Sequence, residues 1–338
     1  MGVYNRKTLS RALEITKRPQ TFLRDTFFTD TERFTSKAVD MDVEVEVRTM
    51  AEYVNRGEKS KTVKTEGYTT QNYIPPLISL NDTVTEEDLF NRLPGEDPYM
   101  ATPEQVEQWR VSKILSKLDG AITRREEYQC MEAIFNGSVS LLNGDTIGFK
   151  RNGAHTVTNS GTDLWTDAAS DPYDQFREWK KLITKNSGAQ ATDIILGEEA
   201  ETALRNNTKF LALLDKYKVN IGQYQPEQLA PGVTLLCQLP SIGNIWAYDA
   251  YYVDPSDSTE KALVPAKKIA MVARGARFTK NYGAVSITQN DRVSLVPGVR
   301  VVDTDLQKDP AVRKIFVKSA PLMSINNANA TLSAQVVS

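Results

Sequence analysis

Few residues in this 338-residue chain have types and spacings that could do chemistry. His155 is the single histidine, set in the polar run Asn152-Gly153-Ala154-His155-Thr156 with no Cys or acidic residue beside it. A general base or metal ligand needs companions that orient it, so His155 is expected to be neither. Gly57-Glu58-Lys59-Ser60 contains a fragment of a phosphate loop, without the first glycine or the Gly-Lys juxtaposition. Asp303, Asp305 and Asp309 could be arranged around a cation, but the run lacks the glycine and terminal glutamate of a calcium loop. A solvated loop is the expectation there. Cys130 and Cys237 are far apart in apolar contexts and read as buried thiols of a reducing compartment, not as a disulfide framework. No Gly-x-Ser-x-Gly elbow and no dinucleotide fingerprint occurs. These residues predict a protein that is not an enzyme and that uses no cofactor and no metal.

Composition points the same way. Hydrophobic residues make up 40% and charged residues 25%, ordinary for a folded chain. Lysine plus arginine (41) nearly balances aspartate plus glutamate (43), so no basic excess marks nucleic acid as a direct ligand. The start, Met1 to Lys7, has no apolar core of a signal peptide, and no apolar run has the length of a membrane span, so no membrane partner is expected.

The one long, periodic, capped stretch is residues 102–136. Thr102-Pro103-Glu104-Gln105 is a capping-box start with proline at the first helical position, and Gly137 is placed to end the helix. Val111, Ile114, Leu115, Leu118, Ala121 and Ile122 recur at helical spacing, extended by Tyr128, Met131, Ile134 and Phe135. Lys113, Lys117, Arg124, Glu126, Glu127 and Glu132 are expected mostly on the other faces. At 1.5 Å per residue such a helix runs roughly 50 Å, either as an ordinary core helix or as a spar carrying sheets and extensions.

Other elements need something to lie on. Thr8 to Lys17 fits a short helix, and the cluster Phe22-Leu23-Arg24-Asp25-Thr26-Phe27-Phe28 has little local sequence to bury it. It either folds back on its own core or docks on a neighbouring subunit. Val39 to Val47 alternates apolar and acidic residues, and a second extended run returns from Val63 to Tyr73 across a polar turn. An isolated hairpin is marginal in water, so its apolar face requires a partner. Further on, Asp174 to Lys185, Glu198 to Arg205 and Asn207 to Tyr217 read as helices. Ile194 to Leu196 reads as a buried strand, and Leu235 to Leu239 with Ile245 to Tyr248 as a hairpin. A run of strands from Lys267 to Val317 is expected to close back on the long helix.

At Asp88-Leu89-Phe90-Asn91-Arg92-Leu93-Pro94-Gly95-Glu96-Asp97-Pro98 the chain resembles the segment before the spine helix in the lambda-type family of bacteriophage major capsid proteins. The pattern Arg-Leu-Pro-x-Glu-Asp-Pro is met by Arg92 to Pro98. Gly161-Thr162-Asp163-Leu164-Trp165, Asp171-Pro172-Tyr173-Asp174, Lys318 to Met323 and the apolar end Ala334 to Val337 are similar to the family in the same order. The resemblance implies an α+β chain with the fold first seen in phage HK97. Its parts would be an N-terminal arm (1–38), an extended hairpin or E-loop (39–92) and a peripheral domain with spine helix 102–136 (93–170). An axial α/β domain (171–275) and a return to the peripheral domain (276–338) would follow.

It further implies a head protein that assembles as hexamers and pentamers into an icosahedral shell around double-stranded DNA, in the virion, after assembly in the host cytoplasm. Implied partners are other copies of the chain, a separate scaffolding protein, a portal and a decoration protein, with DNA contacted non-specifically at most. The alternatives are a tail or baseplate protein, or an intracellular enzyme with an unfamiliar site. Expected contacts between subunits are Phe22, Leu23, Phe27 and Phe28 on the arm, with Arg56, Gly57, Glu58, Lys59 and Lys61 at the hairpin tip. Lys267, Lys268, Arg274, Arg277 and Lys280 would face packaged DNA, pair with acids such as Asp40, Asp42, Glu44 and Glu46 on a neighbour, or simply be solvated. Lys59, Lys61 and Lys64 fit strand-edge protection better than a cross-linking nucleophile, which needs a dry site, so a non-covalent shell is expected.

Overall fold

The computed structural model describes residues 9, 13, 21–45, 50–57, 59–60, 67–85, 87, 103–141, 144–217, 231–239, 241–289, 292–308 and 311–338. The motif at 88–98 and the cap residue Thr102 lie outside them. The chain divides into two compact units, one of residues 1–39, 73–129 and 280–323 and one of residues 40–72, 130–279 and 324–338. Five helices are described: α1 (Phe22–Thr26), α2 (Pro103–Asn136), α3 (Pro172–Ser187), α4 (Glu198–Asn206) and α5 (Thr208–Tyr217).

In the first unit, α2 covers an antiparallel three-stranded sheet ordered Val301–Lys308, Ala311–Ser319, Ile78–Thr85. Val111, Leu115, Leu118 and Ile122, the stripe expected from spacing, meet Val84, Val302, Ile315 and Val317 in one core. Leu9 and Leu13, helical and four apart, are buried in the same core. Not every charge on α2 faces water. Glu126 and Glu127, and Glu132 in the second unit, are buried. Helical spacing alone places them outside, because their partners come from distant segments. Glu127 accepts from the amides of Leu23 (2.7 Å) and Arg24 (2.8 Å), satisfying donors at the start of α1.

The second unit is built on a six-stranded mixed sheet ordered Thr156–Thr158, Thr331–Gln335, Lys268–Val272, Asp193–Leu196, Gly243–Tyr248, Val233–Leu239. Phe176, Trp179 and Ile183 of α3, Ala203 and Leu204 of α4, and Phe210 and Leu214 of α5 bury against Ile194, Ile245, Ile269, Met271 and Leu332. Asp171 caps α3 by accepting from the Tyr173 and Asp174 amides, Pro172 follows it, and Gly188 ends the helix at φ 75°. Two segments depart from expectation. Lys268–Val272 pairs with Asp193–Leu196 instead of closing on the long helix, and the last strand, Thr331–Gln335, pairs with Lys268–Val272 in this sheet. Ile269, Ala270, Met271 and Val272 are all fully buried, as a central strand covered on both faces requires.

The final turn of α2 has an unusual cap. Gly137 takes φ +68°, and Arg151 donates to the carbonyls of Ile134 and Phe135, each at 2.8 Å. A Cβ on Gly137 would sit 2.9 Å from Arg151 Nε, so the glycine makes room for the cap. Burial pushes the Arg151 pKa down to about 10.

Val39–Val45 and Gly67–Tyr73 form a two-stranded sheet with no third strand among the described residues, the hairpin read from alternation.

Candidate functional site

His155 is fully buried rather than set in a polar loop. Its Nδ1 lies 3.0 Å from the Thr331 carbonyl and its Nε2 lies 2.8 Å from Asn186 Nδ2. Nδ1–H therefore donates to Thr331 and Nε2 accepts from Asn186, which is the neutral tautomer, and burial lowers the pKa accordingly. Asp193, also buried, accepts from Arg274 at 2.7 and 2.8 Å and from Trp246 at 2.9 Å. Arg274 thus pairs within its own chain, and Lys267 likewise donates to the Ser338 carbonyl oxygen. Cys130 and Cys237 are free and buried, and burial pushes the Cys237 thiol up to about 11. Among the described residues no three His, Cys, Asp or Glu side chains gather where a metal could be held. Asp303 and Asp305 sit on one strand, with Asp305 opposite Lys314, and Asp309 lies outside the described residues.

The proposed contact residues fall into two groups. Phe22, Leu23, Phe27 and Phe28 are buried within the first unit, with Phe22 and Phe27 edge to face at 5.8 Å. Their apolar surface is covered by this chain alone. Beside them lies a buried charge network that the sequence did not reveal. Arg300 Nε donates to Asp119 and its Nη1 to Glu126, both at 2.6 Å. Arg24 Nε lies 2.9 Å from Glu126, and Tyr282 donates to the same carboxylate at 3.1 Å. The network ties the arm to α2 through groups drawn from three distant segments. Burial pulls the Arg300 pKa down, but the charge and hydrogen bond of Glu126 outweigh it and hold the guanidinium firmly charged.

The connection between the two hairpin strands is the opposite case. Met50 is 88% exposed and Tyr53 fully exposed, and Arg56, Gly57 and Lys59 are exposed with them. Gly57 takes φ +99° with nothing within 4 Å of where a Cβ would stand. Glu58 and Lys61 lie outside the described residues. Other uncovered apolar residues escaped the sequence reading: Tyr251 and Val253 on one strand, Val293 and Leu295 on another. Each pair has the i, i+2 spacing of a shared strand face, which was the available signal.

The family model for phage major capsid protein E matches residues 5–336. The chain belongs to that family. It is 22% identical over 328 residues to the major capsid protein of Escherichia phage lambda, covering 93% of each chain. Over 354 residues it is 22% identical to the major capsid protein of Enterobacteria phage P21, covering 99% of this chain and 100% of that one. Its fold is similar to the crystal structure of a prophage capsid protein of E. coli CFT073, with TM-score 0.75, 16% identity and coverage of 98% and 99%. The capsid of the native GTA particle gives TM-score 0.52 at 11% identity, covering 96% and 93%. The fold is therefore α+β and HK97-like, and the role is that of a capsid-type structural protein. No helix among the described residues is long and apolar enough to cross a membrane.

Proposed function

We propose that this chain is the major capsid protein of a phage head, assembling as hexamers and pentamers into an icosahedral shell around double-stranded DNA. In this reading α2 is the spine helix of a peripheral domain, the six-stranded sheet with α3, α4 and α5 is the axial domain, and the 39–73 ribbon is the E-loop. Assembly takes place in the host cytoplasm with a separate scaffolding protein, a portal and a decoration protein, and the product is the virion shell. A net charge of −2 suits a container, because a strongly basic lining would hold DNA by its phosphates and impede its movement.

The observation that carries the proposal is the ribbon whose connection leaves Met50 and Tyr53 uncovered. Full burial of one large apolar side chain is worth about 1.5–3 kcal/mol, and a shell repeats that gain at every copy. The clamp is assigned to this connection and not to Phe22, Leu23, Phe27 and Phe28, which the chain buries by itself. Replacing Arg56 to Lys61 with a Gly-Ser turn is expected to leave a folded chain, by circular dichroism, that yields no stable particles on a sucrose gradient. Heat-stable particles of normal size from that variant would refute the clamp.

A further inference from the structure

Two surfaces of opposite charge stand at opposite ends of one strand in the second unit. Strand Gly243–Tyr248 begins beside α3, where Lys180 donates to the Ser241 carbonyl at 2.6 Å. Arg177, Lys181 and Lys185 are exposed along the same helix and, with Lys180, line an open groove there. The other end of the strand leads into Asp249. Its parallel pairing, Ala247 with Leu196, sets that end beside Glu198 at the start of α4. Asp167 and Glu199 line one groove with Glu198. Tyr251 donates to Glu198 at 3.4 Å, and next to it Tyr251 (52%) and Val253 (64%) expose one apolar face of a short two-stranded sheet. At ~3.3 Å per residue, six residues hold the two ends roughly 20 Å apart.

The charges at each end are crowded. Burial, then the charge of Glu198, pushes the Asp249 carboxyl above its ordinary range, and burial with Asp249 does the same to Glu201. Of the nearby cations, Arg205 pairs with Glu201, Lys261 with Asp254 and Asp257, and Lys209 with the Ala169 carbonyl, while Lys268, whose carbonyl accepts from the Gly197 amide, adds one positive charge at this end. At the basic end Asp174 pairs with Arg177 and Asp193 with Arg274, leaving Glu178 as the other exposed acid on α3.

We infer that the acidic end of one copy, with Tyr251 and Val253, receives the basic face of α3 from a second copy, head to tail. One chain carries both halves of the contact, so the complementary partner is another copy. Because the halves are different patches, the contact is heterologous and its repetition closes a ring when the rotation allows. Opposite charge also fixes the direction, since acid-to-acid and base-to-base approaches are repulsive. This assignment rests on the shell reading and names the surfaces that would build its capsomers.

The test uses the full chain co-expressed with the other head proteins of its phage. Glu198→Lys with Glu199→Lys, and separately Lys181→Glu with Lys185→Glu, are each expected to cut particle yield about tenfold, with the unassembled chain still folded by circular dichroism. Combining all four substitutions restores yield to within about threefold, because the pair of charges is exchanged and not lost. Unaltered yield from either reversal, or no rescue by the combination, overturns the assignment. A wild-type chain that makes neither rings nor shells sinks the shell reading and this assignment with it, whereas wild-type shells with indifferent reversals sink the assignment alone.

Discussion

Arg300 is the residue whose removal should cost the first unit most. Its guanidinium is buried and reaches Asp119 and Glu126 at 2.6 Å, with further contacts to the Val299 carbonyl (3.0 Å) and the Ser319 hydroxyl (3.3 Å). Arg300→Met keeps most of the stem and deletes the charge. Asp119 loses a charged partner in the interior, while Glu126 keeps Arg24 and Tyr282. Breaking a buried pair from one side costs about 3–5 kcal/mol, chiefly the penalty of the charge left behind. With an m-value of about 2 kcal/mol/M in urea, the midpoint should fall by roughly 1.5–2.5 M. Arg24→Met should cost less, about 1–3 kcal/mol, because Arg300 remains on Glu126. Adding Asp119→Leu to Arg300→Met removes the carboxylate that Arg300 neutralised and should recover part of the loss. Urea titrations of the unassembled chain, followed by circular dichroism at constant m, measure all three. An Arg300→Met midpoint within about 0.5 M of wild type would refute the argument that these charges hold the arm, α2 and the sheet together.

Two further outcomes are expected. Burial depresses the His155 pKa in the fold, so below the ordinary value of 6.5 the unfolded chain binds a proton that the folded chain resists. Stability is therefore full above that pH and declines as pH falls toward the folded value, and His155→Gln should flatten the pH dependence of the melting temperature between pH 8 and 5.5; identical slopes would contradict it. Mature particles boiled in detergent under reducing conditions should release one band near 37.8 kDa, because Lys59 at the hairpin tip is solvent-exposed and has no dry pocket to activate it; a surviving ladder of multiples would show covalent linkage.

The elements that could be read from sequence are those whose signals are local. The α2 stripe, the Asp171-Pro172 start of α3, the Gly137 terminator and the alternation from Val39 each depend on residues within a turn or a strand of one another. What escaped depends on distant partners. Glu126 and Glu127 sit between Arg124 and Tyr128 like any solvated helix charges, and nothing nearby announces Arg300, 174 positions on from Glu126, or the amides of Leu23 and Arg24 more than 100 positions back. The burial of His155 escaped for the same reason. Its run looks polar, but Thr331 lies 176 residues away and closes over it. Lys268–Val272 reads as a strand in either unit, and only its pairing with Thr331–Gln335 and Asp193–Leu196 says which.

Charge balance shows how far composition can mislead. A formal charge of −2 suggests a bland surface with no basic excess. The balance is reached in two physically different ways. In the first unit opposite charges are buried against each other, Asp119 and Glu126 on Arg300 and Glu126 again near Arg24, where they hold segments of one chain in place. In the second unit Asp193 and Arg274 pair in the same way, but other charges are set apart at the two ends of Gly243–Tyr248. The first arrangement completes itself within a single copy. The second is completed only when another copy brings the opposite end, so a nearly neutral chain can still be strongly directed toward its own kind.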